Sequence, residues 1–373
     1  MKIKKNIYQK YPVFYRKLDK KIIKTVNAVI KSNWISSNGP YNNKLEADLV
    51  RNFNVTFCST ISSGTSALES ALFSLNLKRG DEVIVPSFTI VSCINVILRL
   101  GLKPHIIDVD KDTWCLNLSI LKKHVTRKTK ALIYVHIFGN SDQIDLVSKY
   151  CKSNKIFLIE DCAESMFTKY KNQYTGTFGD VSTFSLYSNK LISSGEGGFV
   201  LTNNKKFYKR IESYKNLFFG KKDRFNHKDM GFNYRMTNIQ SAIAWQELQI
   251  KEKYININNY IGKKYFKYLD MNKFTIQKIS KDCDHIFWMV PILFNKKVNI
   301  KKIQAHLLNI GIDTRRLFKP LSKMSYLKNF NVKISLTPNS NFIYDRGIYI
   351  PSGHNLKNKD IKHISEQLNK LDL

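Results

Sequence analysis

Apolar runs that leave no polar face constrain this chain more than any other feature. "EVIVPSF" (82–88), "KPHIIDV" (103–109), "KALIYVHIFG" (130–139) and "KIFLIEDCA" (155–163) are almost continuously aliphatic. Helical patterns separate most of them: "GTSALESALFSLN" (64–76), "TIVSCINVILRLG" (89–101) and "DQIDLVSKYCKSN" (142–154). A strand that is apolar on both sides needs cover on both sides, and crossover helices between parallel strands provide it. The expected fold class is α/β, with a mostly parallel central sheet and flanking helices. After "GFVLT" (198–202) the alternation stops. A long helical stretch, "NIQSAIAWQELQIKEKYININNYIGKKYFKYL" (238–269), leads to a C-terminal part containing "HIFWMVPILF" (285–294), "IQAHLLNIGI" (303–312) and "GIYIPSG" (347–353). These read as a smaller α+β domain. The expected division is residues 1–250 for the large domain, with the N-terminal segment packed on it, and 251–373 for the small one.

At 373 residues and 43% hydrophobic content, the chain has enough apolar surface for a substantial core. No apolar run reaches the roughly 18–20 residues that cross a bilayer. The opening "MKIKKNIYQKYPVFYRKLDK" has no apolar stretch of signal-peptide length. A soluble, cytoplasmic protein is expected. The six cysteines form no CxxC pair, and the eight histidines form no HxxxH or HExxH pattern, so no metal site is expected. The net charge of +32 raises the question of nucleic acid. The lysines are scattered among Asn and Ile, however, without an arginine-rich tract, a basic arm or a helix-turn-helix. A compositional bias explains them, and no nucleic-acid partner is expected.

Ligands of an open parallel sheet sit beyond the carboxyl ends of its strands, and four features fall there. In "SSGTSALESAL", Ser63, Gly64 and Thr65 precede a helix, where free N–H groups and the helix dipole favour a phosphate. They serve equally as an ordinary N-cap. Asp161 ends the aliphatic run "FLIED", where a carboxylate needs a cation such as a protonated pyridine nitrogen, or caps a helix. Lys190 follows "STFSLYSN" and precedes Gly195, Gly197 and Gly198. A partly desolvated lysine becomes a nucleophile, although a surface lysine at a strand end would look the same. Ser185, earlier in that run, offers a second hydroxyl for a phosphate. Phe88, after "VIVPS", is a flat ring that stacks on an aromatic ligand or packs in the core. Taken together, these are the parts that pyridoxal phosphate needs.

The chain resembles the DegT/DnrJ/EryC1/StrS nucleotide-sugar aminotransferases, a family of fold-type-I pyridoxal-phosphate enzymes, from about residue 34 to residue 353. The resemblance is carried by "SSGTSAL", "VPSFTIVSC", "IEDCAES", "GTFGDVSTFSLYSNKLISSGEGG" and "GFNYRMTNIQSAI". It implies that Lys190 forms the Schiff base, Asp161 holds the pyridine nitrogen, and Gly64, Thr65 and Ser185 hold the phosphate. Phe88 then stacks on the ring, and Glu164 stands near its O3′ and the reacting carbon. Asn233 reaches the phosphate of a neighbouring subunit, which implies a homodimer with shared active sites. Arg235 and Arg315 are candidates for the nucleotide. The wording is most similar to the perosamine-synthase branch, which aminates C4 of GDP-4-keto-6-deoxymannose for surface polysaccharides such as O-antigen. L-Glutamate is the implied amino donor. Dehydratases of the family carry histidine at the lysine position, so Lys190 argues for transamination; 3-keto amination is a further alternative. Two stretches depart from the family pattern, Asn140–Ser141 in "IFGNSDQID" and "RRLFKPLSKM" (315–324), and both are expected near the substrate.

Overall fold

The structure is a computed structural model that describes residues 10–220 and 222–372. Its centre is an eight-stranded sheet. In spatial order the strands are Phe57–Ile61, Gly198–Thr202, Val181–Ser185, Phe157–Asp161, Thr129–Val135, Glu82–Pro86, Lys103–Ile107 and Lys333–Ile334. All neighbouring pairs are parallel except those made by Gly198–Thr202, which runs antiparallel to both its neighbours. Its reversal fits its connection. Residues 186–197 join it to Val181–Ser185 without a helix, and a parallel return usually runs through one. The lysine segment is therefore the connecting loop of this antiparallel pair.

The central strands are buried along most or all of their length. The helix Gly64–Ser74 lies against Val181–Ser185 and Gly198–Thr202, and buries residues on every side, including Ala67, Leu68, Ala71 and Leu72. The long helical stretch is two helices. Thr237 and Gln240 form a capping box that starts Asn238–Leu248, and Ile250, outside helical geometry, separates it from Lys251–Tyr268.

The second body is a four-stranded antiparallel sheet of Phe274–Ile276, Val290–Phe294, Gly347–Ile350 and Arg315–Arg316. It shares an apolar core with Lys251–Tyr268 and Asn358–Asn369, built around Tyr265, Phe294, Ile348 and Ile364. Two segments cross the division expected from sequence. Leu317, Leu321, Leu327 and Ile343 join the large core, and Lys333–Ile334 extends the large sheet beside Lys103–Ile107. At the other end of the chain, Tyr11 enters the small core. The backbone from Tyr11 to Tyr15 bonds to Gly311, Asp313, Ser352 and His354, so this segment is tied to the small domain while Val13 packs in the large core.

No helix among the described residues is long and apolar enough to cross a membrane. The six cysteines are free thiols, five of them buried.

Candidate active site

A cavity of about 290 Å³ opens at the carboxyl ends of the strands, bounded by Gly64, Asp161, Glu164, Ser185, Lys190 and Trp288. At one end Ser63 caps the helix Gly64–Ser74 by accepting the Ser66 N–H at 3.1 Å. The N–H groups of Gly64 and Thr65 belong to the first turn, which has no intrahelical acceptors. A Cβ on Gly64 would stand 2.9 Å from the Cβ of Ser185. Glycine thus lets the helix start and the strand end meet, and the Ser185 hydroxyl joins the first-turn N–H groups. The Thr65 hydroxyl bonds that of Ser92 at 2.8 Å. This is an anion cradle.

Asp161 forms the cavity wall across from Lys190's segment and is 5% exposed. One of its oxygens accepts the Ala163 N–H at 3.1 Å, and the other accepts the Cys93 thiol at 3.3 Å. Among the described residues it has no ion pair within 4 Å. Burial raises its pKa, opposed by those two bonds and, more distantly, by Lys190 and His136. The neighbouring Glu160 points away from the cavity. Its carboxylate accepts the N–H groups of Gly176, Phe178 and Gly179 and bonds His136, which anchors the strand end.

The Lys190 side chain is 12% exposed, with Nζ 3.9 Å from Glu164 Oε1 and 3.6 Å from the ring centroid of Trp288. Burial lowers its pKa, and the charges of Glu164 and Asp161 oppose that shift. Burial likewise raises the Glu164 carboxyl, against the pull of Lys190 and of the Phe138 N–H, which it accepts at 2.7 Å. Phe138 has φ +53°, a left-handed backbone that turns this N–H toward Glu164.

The lysine segment is held from outside. Arg16 donates to the carbonyls of Lys190 at 2.6 Å and Leu191 at 3.0 Å. The same guanidinium pairs with Glu247 at 2.6 Å, and Glu247 accepts the Ser193 N–H at 2.7 Å. Trp288 donates its indole N–H to the Asn189 carbonyl at 2.9 Å. Gly197 closes the loop at φ +147°, where a side chain would also strike Ser194 Oγ at 2.6 Å.

Lys190, Asp161, Glu164, Gly64, Thr65 and Ser185 thus meet in one cavity. Phe88 does not join them, which corrects the stacking expectation. Its ring is fully buried against Trp114, Phe138 and Phe318, with no face toward the cavity. The aromatic rings on the wall belong to Tyr187, Trp288, Phe318 and Tyr349. Asn233 is exposed outside the cavity and accepts from Arg235, which also donates to Asn216. The Arg315 side chain is 61% exposed and pairs with Asp313 at 3.4 Å. Asn140 and Ser141 are fully buried, contrary to their expected place near substrate. Asn140 stitches loops together, donating to the Thr113 and Lys278 carbonyls and accepting from Ser280. Sequence reasoning missed Arg16, Glu247, Cys93 and Trp288. Of these only Glu247, a carboxylate in the apolar helical run "SAIAWQEL", carried a visible signal.

Residues 16–369 match the DegT/DnrJ/EryC1/StrS aminotransferase family. The chain belongs to that family. Among its relatives is the GDP-perosamine synthase of Escherichia coli O157:H7, 37% identical over 96% of this chain and 98% of the relative. The GDP-perosamine synthase of Vibrio cholerae is 33% identical, covering 95% and 96%. Among solved structures, Helicobacter pylori PseC, an aminotransferase involved in the biosynthesis of pseudoaminic acid, superposes with a TM-score of 0.90. It is 25% identical over 96% of this chain and 98% of its own. This enzyme is an aminotransferase, and its cofactor is pyridoxal 5′-phosphate. The cavity fits that molecule. A buried carboxylate without a cation suits a protonated pyridine nitrogen, the helix start suits a phosphate, and a desolvated amine suits an aldehyde.

Proposed function

We propose that the enzyme transfers the amino group of L-glutamate to C4 of a nucleotide-linked 4-keto-6-deoxy sugar, converting GDP-4-keto-6-deoxymannose to GDP-perosamine. The observation that carries the sugar is the match, nearly end to end, with two relatives named GDP-perosamine synthase. For the reaction type it is the amine of Lys190, since a lysine can both hold the cofactor and move protons, whereas a dehydratase has no use for that bond.

When bound, pyridoxal phosphate supplies an aldehyde and a ring that accepts an electron pair. Lys190 would hold the aldehyde carbon and give it up to the donor amine. The Lys190 amine, with its pKa lowered by burial, would take the proton from the donor's Cα and return it to the former aldehyde carbon, two bonds away. Asp161 keeps the ring nitrogen protonated, and Gly64, Thr65 and Ser185 hold the phosphate. Glu164, close to Lys190 Nζ, supports the protonated lysine between transfers. In the second half-reaction the keto sugar enters and the same residues run in reverse. One C=O and one C–NH₂ exchange places, so glutamate leaves as 2-oxoglutarate and no further oxidant or reductant is required.

The working unit is a homodimer, with exposed Asn233 reaching the phosphate in the partner's site. Half-buried Arg235 and exposed Arg315 lie outside the cavity and bind the nucleotide part. Lys190→Ala is expected to fold, lose the cofactor's visible absorption and lose turnover by several orders of magnitude. An active alanine variant would refute the role of Lys190. Mass spectrometry of products from GDP-, UDP- and dTDP-linked 4-keto and 3-keto sugars tests the substrate. A GDP-4-amino sugar is expected, and a deoxy sugar or a 3-amino product would overturn the assignment.

A further inference from the structure

We propose that Trp288 is a positioning residue for transamination, fixing the backbone and the amine of the lysine segment at the same time. The indole N–H is bonded to the Asn189 carbonyl, and the indole face stands 3.6 Å from Lys190 Nζ, measured at the ring centroid. The inference rests on Lys190 being the residue that bonds the cofactor.

Three observations support it. The ring is 6% exposed and stacks on Phe138 at 5.8 Å, so its plane is locked on the side away from the amine. Its one polar atom is committed to a backbone acceptor, which fixes rotation within that plane. With Arg16 on the next two carbonyls, three consecutive carbonyls around the lysine are held by side chains distant in sequence. The backbone of Lys190 is thereby held on both sides, with its amine beside the indole face.

An indole face favours a cation, and does so most where water is scarce. Trp288 therefore supports the protonated nitrogen on Lys190, alongside two carboxylates. The titratable groups around the amine are Glu164 and Asp161, with Tyr349 from Gly347–Ile350, and Tyr187 and Glu196 elsewhere on the cavity wall. None of them changes when Trp288 is replaced, so the ring's effect can be isolated.

The test uses the holoenzyme and the variants Trp288→Phe and Trp288→Leu. Borohydride reduction with peptide mapping first identifies the lysine bonded to the cofactor. The pH titration of the cofactor's visible absorption is then compared across the three proteins. The midpoint is expected to fall in the order Trp, Phe, Leu, with the leucine variant lower by about one pH unit, a tenfold loss of proton affinity. A residue that only filled space would reduce turnover without this ordered shift. With the tag on Lys190, midpoints that do not move, or that rise, overturn the role of Trp288 and leave Lys190 standing. A wild-type tag on another lysine overturns the Lys190 assignment, and this inference with it. If the leucine variant fails to hold the cofactor, the phenylalanine variant decides, since its ring keeps a weaker cation-binding face.

Discussion

Arg16→Met tests how far the lysine segment depends on charges buried outside the cavity. The Arg16 and Glu247 side chains are 5% and 0% exposed, 2.6 Å apart, and the guanidinium also rests on the Tyr254 ring. Methionine keeps much of the packing but leaves Glu247 as an unpaired buried carboxylate, which typically costs about 3–5 kcal/mol. Glu247 can escape part of that cost by taking up a proton. Burial already raises its pKa, and the arginine charge is the chief influence holding it down, so the variant's carboxyl titrates higher still. The sign follows directly. Between the unfolded value, about 4.3, and the raised folded value, the folded protein keeps a proton that the unfolded chain has released. Stability of the variant therefore falls as pH rises through that window, by up to about 1.4 kcal/mol per pH unit. Urea unfolding of the cofactor-free protein at one fixed concentration, at mildly acidic and mildly alkaline pH, measures this. Arg16→Met combined with Glu247→Gln removes the orphan charge and keeps an acceptor for Ser193. The pair is expected to be more stable than Arg16→Met alone, with about 2 kcal/mol of coupling. Equal losses at both pH values, or simple additivity in the double variant, would refute this account.

Two further outcomes follow from the cavity geometry. Glu164→Gln removes a negative charge 3.9 Å from Lys190 Nζ. The pH titration of the cofactor's absorption is expected to move down by about one unit, and an upward move would contradict the role given to Glu164. Gly64→Ala places a methyl 2.9 Å from the Ser185 Cβ and forces the helix start away from the strand end. Cofactor affinity, measured by titrating the apoprotein, is expected to drop at least about tenfold at a cost of roughly 1–3 kcal/mol, and unchanged affinity would show that the cradle is not where the phosphate sits.

The large sheet was legible because its central strands are apolar on both faces, a pattern with few other uses. The direction of Gly198–Thr202 was not written in its own residues, since it goes with a connection to Val181–Ser185 that forms no helix. The return of Lys333–Ile334 to the large sheet was hidden for a related reason: two exposed residues have no periodicity to detect. Within the site, Lys190, Asp161 and Ser63–Thr65 were visible because each stands at the end of a strand or the start of a helix, where the fold class itself directs ligands. Phe88 stands at such an end too, but the sequence does not say which way a side chain points once its strand has finished. Arg16, Glu247 and Trp288 act across sequence separations of 174, 54 and 99 residues, on a lysine loop whose own sequence does not name them.

Three groups on the cavity wall point to the ligand. Away from the cavity, three buried carboxylates have their partners: Glu160 three backbone N–H groups and His136, Glu247 Arg16, Ser193 and Tyr254, and Glu69 Arg99 and two tyrosine hydroxyls. On the cavity wall the provision stops. Among the described residues, Asp161 has no cation within ion-pair distance, the Asn189 side-chain oxygen is buried without a hydrogen-bond partner, and the first-turn N–H groups of Gly64 and Thr65 have no intrahelical acceptor. A buried polar group left unpaired costs about 1–3 kcal/mol, so a cluster of them is a standing destabilisation. Such clusters persist at functional sites, where a ligand completes them. This one presents a carboxylate without a cation, a helix start suited to an anion and an amine suited to an electrophile, all within one cavity. Pyridoxal phosphate offers all three in a single molecule. Its binding should therefore stabilise the fold as well as equip it for chemistry, because anything that binds the folded state alone shifts the equilibrium toward it.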